Sequence, residues 1–150
     1  MSDRLTLIAL DGIPLVQPGD DLSSLIADAL MRIGETLVDG DILVVAQKIV
    51  SKSENRLVEI ATITPSARAE TLAKSVDKDP RVVEVILRES RTVIREKPGV
   101  LIVENNLGLI MANAGIDHSN VESDGPDENL LLLPLDPDAS AEALRRDLNT

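Results

Sequence analysis

The sequence predicts an α+β domain, a mixed β-sheet with several helices, built as a single domain over 150 residues. Three observations predict it. Apolar runs of strand length ("LTLIAL", "ILVVA", "LLLLP") are bounded by turn residues. Other stretches space their apolar residues by three and four behind an Asp or Thr-Pro start. Strands and helices do not strictly alternate, so a parallel βα repeat is not expected.

The elements follow in order. "LTLIAL" (5–10) reads as a strand, followed by the Gly/Pro-punctuated loop "DGIPLVQPGDD". "DDLSSLIADALMRIG" predicts a helix, with Leu22, Leu25, Ile26, Ala29, Leu30 and Ile33 on one face. Asp20 or Asp21 caps its start and Gly34 its end. The unbroken apolar run Ile42 to Ala46 suits a strand buried on both faces. "TPSARAETLAKSV" predicts a helix with Pro65 at its first position, after a Thr64 cap. "DPRVVEVILRESRTVIRE" repeats that signal, and its stripe Val83, Ile86, Leu87, Ser90 and Ile94 predicts a helix running past residue 90. "GVLIVENNLGLIMANAG" reads as two strands joined through Asn105 and Asn106, residues that tolerate positive φ. "SNVESDGPDEN" reads as a mobile loop, "LLLLP" as a short buried strand, and "DPDASAEALRRDL" as a last helix with an Asp-Pro start.

Composition narrows the function. A net charge of −11 and a pI near 4.4 argue against a nucleic-acid partner, because phosphate neutralisation needs a basic surface. Without Phe, Tyr or Trp, no ring can stack on a flat ligand. A base or similar ring must be held by aliphatic side chains, backbone groups or a guanidinium. Without cysteine there are no disulfides and no thiolate metal ligands, which favours the cytosol. The start "MSDRLTLIAL" lacks a signal-peptide pattern, and the longest apolar run, "NLLLLPL", is too short to span a bilayer. The expectation is a cytoplasmic protein with no membrane partner.

Four stretches are candidates for chemistry. In "QKIVSKSENR", Lys48, Lys52 and Arg56 form a cationic cluster after a predicted strand, in an otherwise acidic chain. It reads either as a phosphate site or as a solvated surface run. No Walker pattern is present, so a P-loop is excluded. In "LDGIPLVQPGDD", Gly12 would let a ligand approach the backbone, though the residues alone favour a plain turn. In "NAGIDHSN", Asp117 is a candidate ligand for a hard divalent cation. Asn113 and Asn120 there offer amide groups, Gly115 allows a bend, and His118 reads as a surface residue. In "LDPDAS", Asp136 and Asp138 are better explained as helix-start residues than as a metal site.

Taken together and in order, "GIPLVQPGDDL", "DGDILVVAQKIVSKSENR", "TPSARA", "ILRES", "NAGIDHSNV" and "LLLPLDPDASAEALR" resemble the amino-terminal half of the coenzyme F420-0:L-glutamate ligases. The resemblance covers essentially the whole chain. It implies the fold of the F420-0:gamma-glutamyl ligases and a GTP-dependent, metal-dependent amide ligase that acts through an acyl phosphate. Asp11, Gly12, Ile13 and Pro14 match one nucleotide-contacting segment, and Gln47, Lys48 and Lys52 a second. Asn120 matches a further nucleotide contact, and Asp117 a metal-binding aspartate. The implied cofactor is a divalent cation, Mn2+ or Mg2+, with K+ as an additional candidate. GTP, coenzyme F420-0 and L-glutamate are the implied partners, and the implied assembly is a homodimer. The family pattern continues into an aspartate-threonine pair that completes the metal site, whereas this sequence ends at "RRDLNT". A partial chain is therefore expected, and an alternative is a non-catalytic nucleotide-binding or assembly module of the same fold.

Overall fold

A computed structural model describes residues 4–117 and 129–149. They comprise five α-helices and two small antiparallel sheets, an α+β arrangement as expected. The chain divides into two compact units, one from Met1–Asn55 with Pro137–Thr150, the other from Arg56–Asp136.

In the first unit, α1 (Leu22–Ile33) begins and ends as its sequence dictates. The Asp21 carboxylate accepts hydrogen bonds from the Ser23 and Ser24 backbone N–H groups, and Gly34 closes the helix in the left-handed region at φ 74°. α1 packs with α5 (Pro137–Leu148). Its Leu22 and Ile26 form a core with Val16, joined by Leu43, Val45, Ile49, Val50, Leu144 and Leu148.

Two expected strands of this unit are not strands. Residues 5–10 and 42–46 belong to no sheet among the described residues, because no neighbouring chain pairs with them. Nor is the second segment buried on both faces, as its unbroken apolar run suggested, because core lies on one side of it only. Leu43 and Val45 turn into the core, while Ile42 and Val44 stay outside. The cationic stretch that follows begins with a short helix, α2 (Gln47–Ser53), which the sequence did not announce. Ile49 and Val50 give it an apolar side, and the Gln47 amide donates to the buried Ser51 hydroxyl at 2.6 Å, one turn on.

The second unit is built on two helices and two sheets. α3 (Ala67–Val76) starts at Ser66 rather than at Thr64-Pro65. The Ser66 hydroxyl accepts from Ala69 N–H at 3.2 Å and donates to Glu84 at 2.6 Å, so one serine caps α3 and fastens it to α4. α4 (Pro80–Arg88) has the expected Asp79 cap and Pro80 at its first turn. It ends at Arg88, six residues before Ile94, the last residue of the predicted stripe. Residues Ser90–Lys97 form a strand, β2, because Thr92, Val93 and Ile94 are β-branched, and Thr92 and Val93 pair with Glu104 and Val103 of β3 (Val100–Asn105).

β3 also pairs with β4 (Ile110–Ala112), giving the order β2-β3-β4. The expected hairpin exists, but its positive φ is at Gly108 (83°), not at Asn105 or Asn106. Asn105 shapes the turn with its side chain, whose Oδ1 accepts from Leu107 and Leu109 N–H at 3.0 and 2.9 Å. The second sheet pairs β1 (Leu57–Glu59) with β5 (Asn129–Leu131). α3, α4, β3 and β5 enclose a core of Val76, Val83, Ile86, Leu101, Val103 and Leu130, each 1% exposed or less.

Candidate functional site

In the first unit, Asp11, Gly12, Ile13 and Pro14 lie on an exposed turn in which Gly12 takes φ 75°. The flanks of the turn anchor it. Leu10 and Val16 pack into the same apolar core as Ile49 and Val50 of α2, and Gly19 N–H donates to the Ser53 carbonyl at 2.9 Å. Core packing thus ties the two predicted nucleotide-contacting segments into one unit. Gln47 and Lys48 start α2, and Lys52 lies in its last turn, where a cation is favoured by the helix dipole.

Two cations change roles relative to the sequence reading. Arg56 leaves the phosphate cluster. It lies in the second unit, where its Nε donates to the Leu133 carbonyl at 2.8 Å and its Nη2 pairs with Glu89 at 2.9 Å. Its side chain is only 15% exposed, so it serves the fold. Arg32, which sequence reasoning passed over, has its guanidinium 3.5–3.7 Å from where a Cβ on Gly12 would stand. The available signal was a basic residue in the last turn of α1, which reads as dipole compensation until the fold brings it against the loop.

In the second unit, Asn113–Gly115 forms a 3-10 turn, and three successive residues are left-handed: Asn113 (50°), Ala114 (56°) and Gly115 (76°). Only the last is a glycine; asparagine tolerates this region, so the strain falls on Ala114. Asp117 follows, held by two backbone hydrogen bonds to Leu131, each 3.0 Å. The Asn113 Oδ1 is buried and accepts no hydrogen bond among the described residues, and the Asp117 Oδ2 is buried as well. These are hard oxygen donors four positions apart, the chemistry a divalent cation takes, so this turn fits the metal that the sequence implies. No group of three or more His, Asp or Glu gathers around a common point among the described residues. His118 and Asn120 lie outside the described residues. Among the described residues no helix is long and apolar enough to cross a membrane.

The family model for F420-0:gamma-glutamyl ligase matches residues 12–150. The chain is similar to proteins named coenzyme F420:L-glutamate ligase. It is 45% identical to one from Methanothermobacter thermautotrophicus over 144 residues, covering 96% of this chain and 56% of that protein. The relative from Methanopyrus kandleri is 44% identical over 147 residues (96% and 55%), and that from Archaeoglobus fulgidus 41% over 143 (95% and 53%). The chain thus spans about half the length of the curated relatives it matches. With a family match over nearly all its residues, the chain belongs to the F420-0:gamma-glutamyl ligases.

Proposed function

We propose that this chain carries the nucleotide-contacting and part of the metal-binding machinery of a GTP-dependent ligase that adds L-glutamate to coenzyme F420-0. The supporting observation is the family match over residues 12–150, which keeps the Gly12 loop, the α2 lysines and the Asp117 turn in one chain. In the reaction, a carboxylate oxygen of F420-0 attacks the γ-phosphorus of GTP. The P–O bond to the β-phosphate breaks, and GDP leaves with that electron pair. The glutamate amine then attacks the acyl carbon, phosphate departs, and the amine gives up a proton to leave an amide.

Each residue has a task in that chemistry. Lys48 and Lys52 offset phosphate charge, and Gln47 and Asn120 supply neutral hydrogen bonds. The turn from Asp11 to Pro14 presents backbone to the nucleotide, and Arg32 beside Gly12 supplies the planar cation that an aromatic-free protein needs against a base or phosphate. Asp117 holds the cation, with Asn113 Oδ1 as a second oxygen. A bound Mn2+ or Mg2+ would neutralise triphosphate charge. A cytoplasmic homodimer is the proposed setting.

The test is calorimetry of GTP with Mn2+ on the purified chain. Lys52→Ala should weaken binding by about 1–3 kcal/mol, the range for a charged hydrogen bond. Equal affinity at matched salt would return Lys52 to the solvated surface. Asp117→Asn should abolish the Mn2+ dependence of GTP binding, read by electron paramagnetic resonance of the free ion. The coverage of 53–56% of the relatives favours a second reading for the chain by itself, a nucleotide-binding module without turnover. Amide formation by the 150 residues alone, from F420-0, L-glutamate and GTP, would overturn that second reading.

A further inference from the structure

Between α3 and α4 the chain turns sharply. Asp77 ends α3 in the left-handed region at φ 53°, and the Lys78 N–H donates to the Ala73 carbonyl at 3.1 Å. The turn brings Lys78 and Asp79 to a cavity of about 170 Å³ within the second unit, walled also by Val82, Ile86, Asn113 and Ile116. An aliphatic cavity of roughly 150 Å³ is filled by one benzene molecule, so this space suits a short side chain and not a nucleotide. Its two charges are not equivalent. The Asp79 carboxylate is spent on α4: it accepts from the Arg81 N–H at 2.8 Å and pairs with the Arg81 guanidinium at 2.7 Å. Lys78 is half-buried, and among the described residues its ammonium has no ion pair or hydrogen bond. A cation beside apolar walls is costly until an anion joins it. Asn113 lines this cavity and also carries the buried Oδ1 of the turn that leads to Asp117.

We propose that this cavity seats the side chain of L-glutamate, with its carboxylate on Lys78, and that Lys78 is the residue that selects an acidic amino acid. The inference rests on the ligase reading above. The glutamate methylenes fit against Val82, Ile86 and Ile116, and the carboxylate supplies the anion that Lys78 lacks. A phosphate group is a poorer occupant, because its oxygens require several donors and these walls offer one ammonium among aliphatic groups. Asn113 joins the cavity to the Asp117 turn, so an amino acid held by its side chain carries its amine towards the place where the acyl group is to be attacked.

The test is a titration of the 150-residue chain, without nucleotide, followed through the methyl resonances of Val82, Ile86 and Ile116. L-Glutamate should shift them saturably. L-Glutamine, which has the same shape without the charge, should bind roughly tenfold to a hundredfold more weakly, the range for losing one charged hydrogen bond. Inorganic phosphate at matched ionic strength should leave these methyls in place. Lys78→Met should lose glutamate affinity by the same factor and Lys78→Arg should keep it, while both bind GTP with Mn2+ as the wild type does. The glutamine comparison uses the wild type, so it stands even if a variant misfolds. Failure of the wild type to bind GTP would sink the ligase reading and leave the glutamate titration to be judged by itself. Four results would overturn the proposal: no saturable shift with glutamate, equal affinity for glutamine, an equal shift with phosphate, or a folded Lys78→Met that binds glutamate unchanged.

Discussion

Gly115 shows how tightly single positions are specified in the second unit. A Cβ there would lie 2.9 Å from both Leu133 Cδ1 and Met111 Sδ, on a residue already at φ 76°. The two side-chain ends can shift, but the backbone cannot relieve its left-handed turn. Gly115→Ala should therefore cost about 1–2 kcal/mol of stability, measured by urea unfolding. Arg56 offers a second test. With its guanidinium shared between the Leu133 carbonyl and Glu89, Arg56→Met should cost about 1–3 kcal/mol by leaving a carbonyl and a carboxylate unpaired. If Arg56 served phosphate instead, the same variant would lose GTP affinity and keep its stability. The sequence placed Arg56 with Lys48 and Lys52 because nearness along the chain is all it offers. Glu89, 33 residues away, is visible only after folding. Arg32 was missed for the same reason, whereas the strain at Ala114 could not be read because alanine does not demand a positive φ.

At the scale of elements, helices with a polar cap were legible and those without were not. α1, α4 and α5 begin where an Asp precedes the apolar spacing. α2 has no side-chain cap and only seven residues, too few to display a period. The end of α4 was misplaced because Ser90 and Ile94 continue the helical stripe, whereas the pairing of Ser90, Thr92 and Val93 with β3 makes this stretch a strand. Strands 5–10 and 42–46 were read from apolar runs, but only Leu10, Leu43 and Val45 reach the core, and a strand also needs a neighbour. The Asp21 cap carries its own pH test. Hydrogen bonds from the side chains of Ser23 and Ser24 pull its carboxyl from 3.8 down to about 2. A depressed carboxyl stabilises the fold above its unfolded pKa and loses that contribution as the pH falls through the folded one. The stability difference between the wild type and Asp21→Ala should thus be full above about pH 4 and vanish towards pH 2. A difference that did not change over that range would remove the charge from the account.

For the whole molecule, the two-way bond between Asp117 and Leu131 reaches beyond the turn it closes. Leu131 N–H donates to the Asp117 carbonyl, and Leu131 also sits opposite Leu57 in the β1–β5 sheet. Anything that tugs on Asp117 therefore changes the length of a bond whose proton belongs to Leu131. In most proteins such a signal is confounded by nearby rings, whose currents move resonances whenever a side chain tilts. This protein contains no Phe, Tyr or Trp, and the imidazole of His118 is its single aromatic ring. Its amide spectrum is governed chiefly by backbone geometry and hydrogen-bond length. Titration with Mg2+ and GTP should accordingly move the Leu131 amide proton among the first, while the amides of α3 stay in place. A shift confined to α3 would place the cation elsewhere. The lack of Phe, Tyr and Trp, which deprives the protein of broad stacking surfaces, leaves that one amide as a built-in gauge of the Asp117 turn.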